Sequence, residues 1–317
     1  MSIIAKRDRG HRLHPQIPTR GRRERPMHEL AMRKSTFPAH LAPIVAGPLE
    51  VRLAHSAVEL EAAQRLRYQV FMEEWGASAD ADARLLGRDA DAFDAAMEHL
   101  VVLDRRLPAG AQVVGNYRLL GQELDEHAAY YSGREFDLAP LLQSGRRLLE
   151  LGRSCVMADY RGGAVLQLLW RAIAAYVAQR DIGLLFGCAS LRGTDPSAVA
   201  EQLAFLHRRH LAPPALQPRA KGPTRIDADP DPAMPVDGPR AFRQLEPIIR
   251  GYLRAGAWVG EGAYVDHEFQ SIDVCIVLPT ERMAARHRQN FERKLARPLS
   301  ALHEQPMVAG CAALSSP

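Results

Sequence analysis

The stretch LELGRSCVMADYRGG, residues 149–163, limits what this chain can fold into more than any other. Side chains alternate along a strand, so Leu149, Leu151 and Cys155 point to one side and Glu150 to the other. A carboxylate and a guanidinium on an apolar run are costly to bury unless they are paired or have chemistry to do. Arg153 would normally face away from Glu150, but Gly152 permits a bulge that re-aims it. Directly after this strand, Arg161, Gly162 and Gly163 lead into the helical pattern VLQLLWRAIAAYVAQRD. Backbone N–H groups and the helix dipole at such a start favour a phosphate, such as a pyrophosphate or the end of a phosphopantetheine arm.

The neighbouring segments extend this strand, turn and helix into an α/β order. Leu49, Val51 and Leu53 alternate as a first strand; Ser56 with Glu59 forms a capping box for a helix through Leu66, Val70 and Phe71. MEHLVVLD and QVVGNYRLL, separated by a turn with Pro108 and Gly110, predict a hairpin. A strand over IGLLFGCASL and a helix capped by Thr194 or Asp195 follow. The expectation is one central mixed sheet flanked by helices. Its parts are an arm over residues 1–47, a core over 48–211, a Pro-rich loop over 212–240, a C-terminal unit over 241–300 packed on the core, and a tail over 301–317.

Charge is unevenly placed. Residues 1–40 hold ten Lys and Arg against three Asp and Glu, a balance of +7 on a chain of net charge +4. A basic arm on a near-neutral body predicts attraction to an acidic partner, an anionic membrane face or an acidic protein, or else a solubilising tail; nucleic acid is not expected. No run approaches the roughly 18 apolar residues of a membrane span, and MSIIAKRDRG lacks the apolar region of a secretory leader. A cytoplasmic protein, at most peripheral at the inner membrane face, is the expectation. The four cysteines form no CxxC pair, His207 and His210 lack a third ligand, and no metal site is expected. Cys155 reads as core packing.

A strand, an R-G-G turn and a helix in this element order resemble the GNAT acyltransferases, in which that loop holds the phosphate part of an acyl donor. Arg67, Phe71 and Trp75 in RLRYQVFMEEW, Asp91 and Asp94 in DADAFD, Arg118 in GNYRLL, and Glu150 with Arg153 and Ser154 in ELGRS resemble the pattern of the acyl-homoserine-lactone synthases. GREFDLAPLL, LFGCASLRGTDP, FLHRRHLAP and GYLRAGAWVGEGAYVDHEFQSIDVCIVLP are features that those shorter enzymes lack, and together they resemble the L-ornithine N-alpha-acyltransferases, sometimes labelled hemolysin-like. That resemblance runs from about Val51 to Val277. It implies transfer of a 3-hydroxyacyl group from acyl carrier protein to ornithine, giving lyso-ornithine lipid, with the phosphopantetheine thioester as co-substrate and no further cofactor.

The roles it implies can be stated residue by residue. Glu150 is the candidate base that makes the amine neutral, with a salt bridge to Arg153 or Arg118 as the structural alternative. Asp91 and Asp94, at i and i+3 on one face if the segment is helical, are candidates for holding an ammonium. Arg118 or Arg153 is offered to the acceptor's carboxylate, and Arg67 ties the acidic loop to the body. Phe71 and Trp75 serve as core or as tunnel wall, while Ser154 sits with the substrate. Arg161, Gly162 and Gly163 hold the donor phosphate. Two other readings stay open: a lactone-forming synthase with S-adenosylmethionine as acceptor, and a membrane-acting hemolysin-like protein. Chain length and the C-terminal unit argue against the first, and the lack of a long apolar segment against the second.

Overall fold

The computed structural model describes residues 41–108, 110–121 and 130–283. Of the arm expected over residues 1–47, residues 1–40 lie outside the described residues, as does the tail over 301–317, whereas Ile44–Ala46 of that arm form a strand on the sheet edge. The chain opens with strands β1 (Ile44–Ala46) and β2 (Leu49–Leu53), then helix α1 (Ala57–Tyr68), where Ser56 Oγ accepts the Glu59 N–H at 3.3 Å. Gln69–Glu74 continue α1 as a π-helical stretch, a widened backbone that often marks functional sites. After a short α2 (Ala81–Leu86), β3 (Glu98–Asp104) and β4 (Val113–Gly121) form the expected hairpin.

The second half supplies β5 (Phe136–Asp137), α3 (Ala139–Leu142), β6 (Leu148–Val156), α4 (Ala164–Arg180), β7 (Leu184–Arg192) and α5 (Ala200–His210). It continues with β8 (Arg219–Ala220), β9 (Arg225–Ile226), α6 (Gly238–Gln244), α7 (Pro247–Ala255), β10 (Trp258–Val259), β11 (Ala263–Asp266) and β12 (Ser271–Pro279). Among the described residues ten strands make one mixed sheet in the order β1-β2-β3-β4-β6-β7-β12-β11-β9, with β10 also on β12. Period-two alternation divides the core between the faces. Leu100 and Val102 of β3 pack with Leu169 and Ile173 of α4, whereas Val101 and Leu103 pack with Ala63 and Leu66 of α1.

The C-terminal segment is continuous with this sheet. β12 pairs antiparallel with β7 from Ser271 opposite Arg192 to Pro279 opposite Leu184, and all nine of its residues are buried. SIDVCIVLP is thus a strand covered on both faces, and its near-continuous apolar run is what such a position requires. Nor is 212–240 a bare linker. β8 pairs β5, β9 pairs β11, and the Arg208 guanidinium fork holds Asp229 by two 2.7 Å bonds and reaches the carbonyls of Asp231 and Met234.

Strands β6 and β7 are parallel neighbours, but they pair only from Leu148 opposite Leu184 to Glu150 opposite Phe186. Each then runs on for six residues held only by its outer neighbour, β4 or β12, so a wedge opens in mid-sheet. Gly187 marks the last close approach: a Cβ there would lie 2.1 Å from the Leu151 carbonyl oxygen, a backbone atom that cannot rotate away. Gly187→Ala should therefore destabilise the fold by about 3 kcal/mol and lower the melting temperature by at least about 5 °C. Calorimetric melting reads this directly, and an unchanged midpoint would mean that the strands do not meet there as described.

Candidate active site

The wedge is shaped by a bulge. In the register of β4 with β6, Asn116 faces Cys155 and Arg118 faces Gly152, so Arg153 and Ser154 together oppose the single residue Tyr117. Arg153 takes a left-handed backbone at φ 48°, uncommon for a residue with a side chain. Its carbonyl accepts the Asn116 side-chain amide at 3.0 Å, which pins the bulge. The turned backbone sends the guanidinium over the faces of Phe269 and Tyr131, at 4.2 and 4.9 Å from their ring centres.

Arg153 joins an ion network that the acidic loop supplies. Its Nε donates to Asp89 Oδ2 at 3.1 Å and its Nη2 to Asp91 Oδ2 at 3.4 Å. Arg67, fully buried, donates to Asp89 Oδ2 at 3.0 Å and to both Asp94 oxygens at 2.7 and 3.1 Å. Arg118 donates to Asp91 Oδ1 at 2.6 Å and Asp94 Oδ1 at 3.0 Å. Burial alone would push Asp94 up, but Arg67 and Arg118 outweigh it and hold the carboxyl below its ordinary range; Asp89 is held down likewise, chiefly by Arg153 and Arg67. Residues 92–96 form turns instead of the helix considered from the sequence. Asp91 and Asp94 still meet, yet they meet arginines, and Asp94 is closed off from any ammonium.

Among the described residues no arginine pairs with Glu150. It is 2% exposed, and its carboxylate accepts the N–H of Tyr131 at 2.8 Å, the N–H of Ser132 at 2.6 Å and the Ser132 hydroxyl at 2.5 Å. Burial pushes its pKa above the ordinary range, opposed by those bonds from Ser132 and Tyr131. A carboxylate has about four acceptor positions; three are taken, and Oε2 carries only one bond.

Glu150, Arg153, Ser154, Arg118, Phe71 and Trp75 all line one cavity of about 150 Å³ in the wedge. Arg67, Asp91 and Asp94 stand outside the lining and brace it. Arg161, Gly162 and Gly163 also lie outside it, at the start of α4, where Gly163 caps the helix at φ 99°. The Arg161 guanidinium turns to Glu74 at 2.6 Å and to the Val156 carbonyl at 3.0 Å. Sequence reasoning missed Asp89, whose signal was its place two residues before Asp91. It also missed Tyr117 and Tyr252, whose hydroxyls meet at 2.9 Å in the cavity wall and stay protonated because burial raises both pKa values. Asp266 and Asp273, on β11 and β12, line the far side and went unnoticed because they read as strand ends.

Comparison with known proteins decides the family. The L-ornithine N(alpha)-acyltransferase of Rhodobacter capsulatus is 45% identical over 260 residues, covering 80% of this chain and 98% of its own. The chain belongs to the L-ornithine N(alpha)-acyltransferase family. The Agrobacterium fabrum protein of the same name is 41% identical over 246 residues, covering 76% of this chain and 84% of its own. A family model described as an acetyltransferase (GNAT) domain matches residues 66–171, from the Arg67 helix into α4. Among solved structures, the acyl-homoserine-lactone synthase LasI aligns over 72% of this chain and 89% of its own, with a TM-score of 0.40 and 16% identity. This member of the family is an acyltransferase with a GNAT fold, and its matched region carries the ion network and the strand bearing Glu150 and Arg153.

The network should dominate stability around the site. Among the described residues, removing Arg67 as Arg67→Met leaves Asp89 with Arg153 alone and Asp94 with Arg118 as its one remaining arginine, two buried carboxylates short of a partner, and should cost about 3–5 kcal/mol at pH 7. In the wild type the folded pKa values of Asp89 and Asp94 lie below the unfolded ones. The stability they contribute is therefore complete above the unfolded pKa of about 4 and is lost as pH falls through the lower folded values. In the variant both acids lose the part of that depression that Arg67 supplies and their pKa values move back up, so the gap between the two proteins should narrow below about pH 4. Urea unfolding at both pH values reads the gap, and a constant difference would show that the pairing is not its source.

Proposed function

We propose that this protein transfers a 3-hydroxyacyl group from acyl carrier protein to the α-amine of L-ornithine, forming lyso-ornithine lipid. The observation that carries the reading is a desolvated carboxylate, Glu150, at the point where β6 and β7 part, in the same cavity as Arg153. Names of relatives at 41–45% identity support ornithine as acceptor. The free facing edges of the two strands suit an extended amide-bearing arm, which main-chain groups can bind as an added strand. Val70, Phe71, Trp75 and Met97 give the wall an apolar stretch for the acyl chain. At the start of α4, the donor phosphate would compete with Glu74 for Arg161 and meet the N–H groups after Gly163.

The chemistry needs a neutral amine. The α-ammonium gives one proton to Glu150, directly or through a water, and the amine nitrogen attacks the thioester carbonyl. As the tetrahedral intermediate collapses, the C–N bond is kept, the C–S bond breaks, the nitrogen loses a second proton and the sulfur leaves as a thiol. The Tyr117 and Tyr252 phenols, neutral in this wall, can donate to the oxyanion or to the departing sulfur. The thioester is already activated, so the step requires neither metal nor redox cofactor. A product with one long chain and a charged head partitions to membrane, and the basic arm would bring the enzyme to an anionic inner face.

Purified protein given 3-hydroxyacyl carrier protein and ornithine should yield an amide-linked hydroxyacyl ornithine by mass spectrometry, and much less with the coenzyme A thioester of the same acid. Glu150→Gln should keep the fold by circular dichroism and lower kcat by about 10²- to 10⁴-fold. Near-normal single-turnover transfer by that variant would remove Glu150 from the base role.

A further inference from the structure

The cavity has two acidic sides of opposite character. On one side every aspartate is matched by an arginine. On the other, Asp266 and Asp273 line the wall and Glu135 stands behind it against Asp273 and Cys188; the three are 8, 4 and 3% exposed, and among the described residues no Lys, Arg or His nitrogen lies within ion-pair distance of any of them. Glu135, at the end of the 3-10 turn Tyr131–Arg134, brings a carboxylate oxygen within 4.8 Å of both the Asp273 carboxylate and the Cys188 sulfur. Glu135 Oε2 is buried without any hydrogen-bond partner. Asp273 accepts the Ser271 hydroxyl at 2.8 Å, and Asp266 Oδ1 accepts the N–H groups of Glu268 and Phe269 at 2.7 and 3.0 Å. Those bonds fix the carboxylates in place, and Arg153, beyond ion-pair distance, compensates their charge only in part. Cys188, Ser190, Asp266, Ser271 and Asp273 line the same cavity as Glu150.

We infer that Glu135, Asp266 and Asp273 form the subsite that recognises the side-chain ammonium of the acceptor amino acid. The inference rests on the proposed function for the identity of that acceptor and adds the residues that select it. A primary ammonium carries three donors and one positive charge, and a buried, under-bonded carboxylate set supplies acceptors and the opposite charge. The acids raise one another: burial first, then Asp273 and Asp266, push Glu135 up, burial chiefly pushes Asp273 up, and Arg153 across the cavity offsets only part of this. A divalent metal is the competing occupant of Glu135, Cys188 and Asp273. The donor set fits it less well, since two hard carboxylates and one thiol offer no imidazole, and burial raises the thiol pKa well above its ordinary value, away from the thiolate that ligation needs.

Norvaline, which has ornithine's carbon skeleton without the terminal amine, isolates the contact. Wild-type protein should favour ornithine over norvaline by about 100-fold or more in kcat/KM, because the analogue leaves buried polar groups unpaired. Asp273→Asn and Glu135→Gln should each lower that ratio about tenfold or more. A wild-type ratio near one, or variants that lose both activities in equal proportion, would overturn the subsite. So would one bound metal ion per chain that disappears in Asp273→Asn. Calorimetric titration of the wild-type protein with each amino acid separates this inference from the reading it rests on. Tight ornithine binding without acylation would leave the subsite standing and remove the proposed reaction; equal affinity for the two amino acids would remove the subsite even if both are acylated.

Discussion

The site depends on the parting of two parallel strands. Parallel pairing of β6 with β7 ends after Glu150 and Phe186, and Glu150, Arg153 and Ser154 line the cavity at or just past that point. A sheet interior normally has no free backbone, since each unpaired buried N–H or C=O is costly. The wedge is tolerable only because it is a mouth, open to solvent or ligand. Three features hold it open: the close contact at Gly187 sets the apex, the bulge at Arg153 and Ser154 bends β6 away, and β12 holds β7 on its far edge along all nine residues.

The bulge itself stands on electrostatics. A left-handed arginine costs on the order of 1–3 kcal/mol, and persists when its surroundings over-determine it. Here two aspartates, two aromatic faces and the Asn116 amide all hold the one residue. Three arginines facing three aspartates leave the braced side of the cavity near neutral. Burying such pairs gains little net stability, because desolvation offsets most of the attraction. What the network supplies is position: it couples the acidic loop, α1, β4 and β6, so that the guanidinium of Arg153 faces the cavity in one orientation.

How much of this was legible in the sequence follows from range. Local signals were readable: the Ser56 cap, the hairpin turn at Pro108 and Gly110, and the strand, turn and helix through Gly163 all depend on neighbours a few residues away. The bulge at Gly152 was foreseeable because glycine in an apolar strand weakens the ladder there. The partners of the charges were not. Arg67 and Asp94 are 27 residues apart, and Glu150 finds its donors on a turn 18 to 19 residues earlier. No periodicity records which carboxylate meets which arginine, so Asp91 and Asp94 read as ammonium ligands when they are ion-pair partners. β12 read as part of a separate unit because its distance in sequence hid its place beside β7, and Asp266 and Asp273 stayed unnoticed with it.

The two acidic sides have different consequences for a diamine. An arginine-matched carboxylate has little pull on a further cation, whereas the set of Glu135, Asp266 and Asp273, without an ion-pair partner among the described residues, would attract one. An ammonium held there is stabilised in its charged form, so its pKa rises and it is a poor nucleophile. The other amine, left beside a desolvated Glu150 that accepts protons readily, is the one that becomes neutral. An acceptor spanning the cavity would thus have one nitrogen protected and the other activated by the same principle applied with opposite sign. Selection of the α-amine over the more basic side-chain amine would then need no steric exclusion: three carboxylates hold a cation at one end, while Glu150 stands alone at the other with three of its acceptor positions taken by Tyr131 and Ser132.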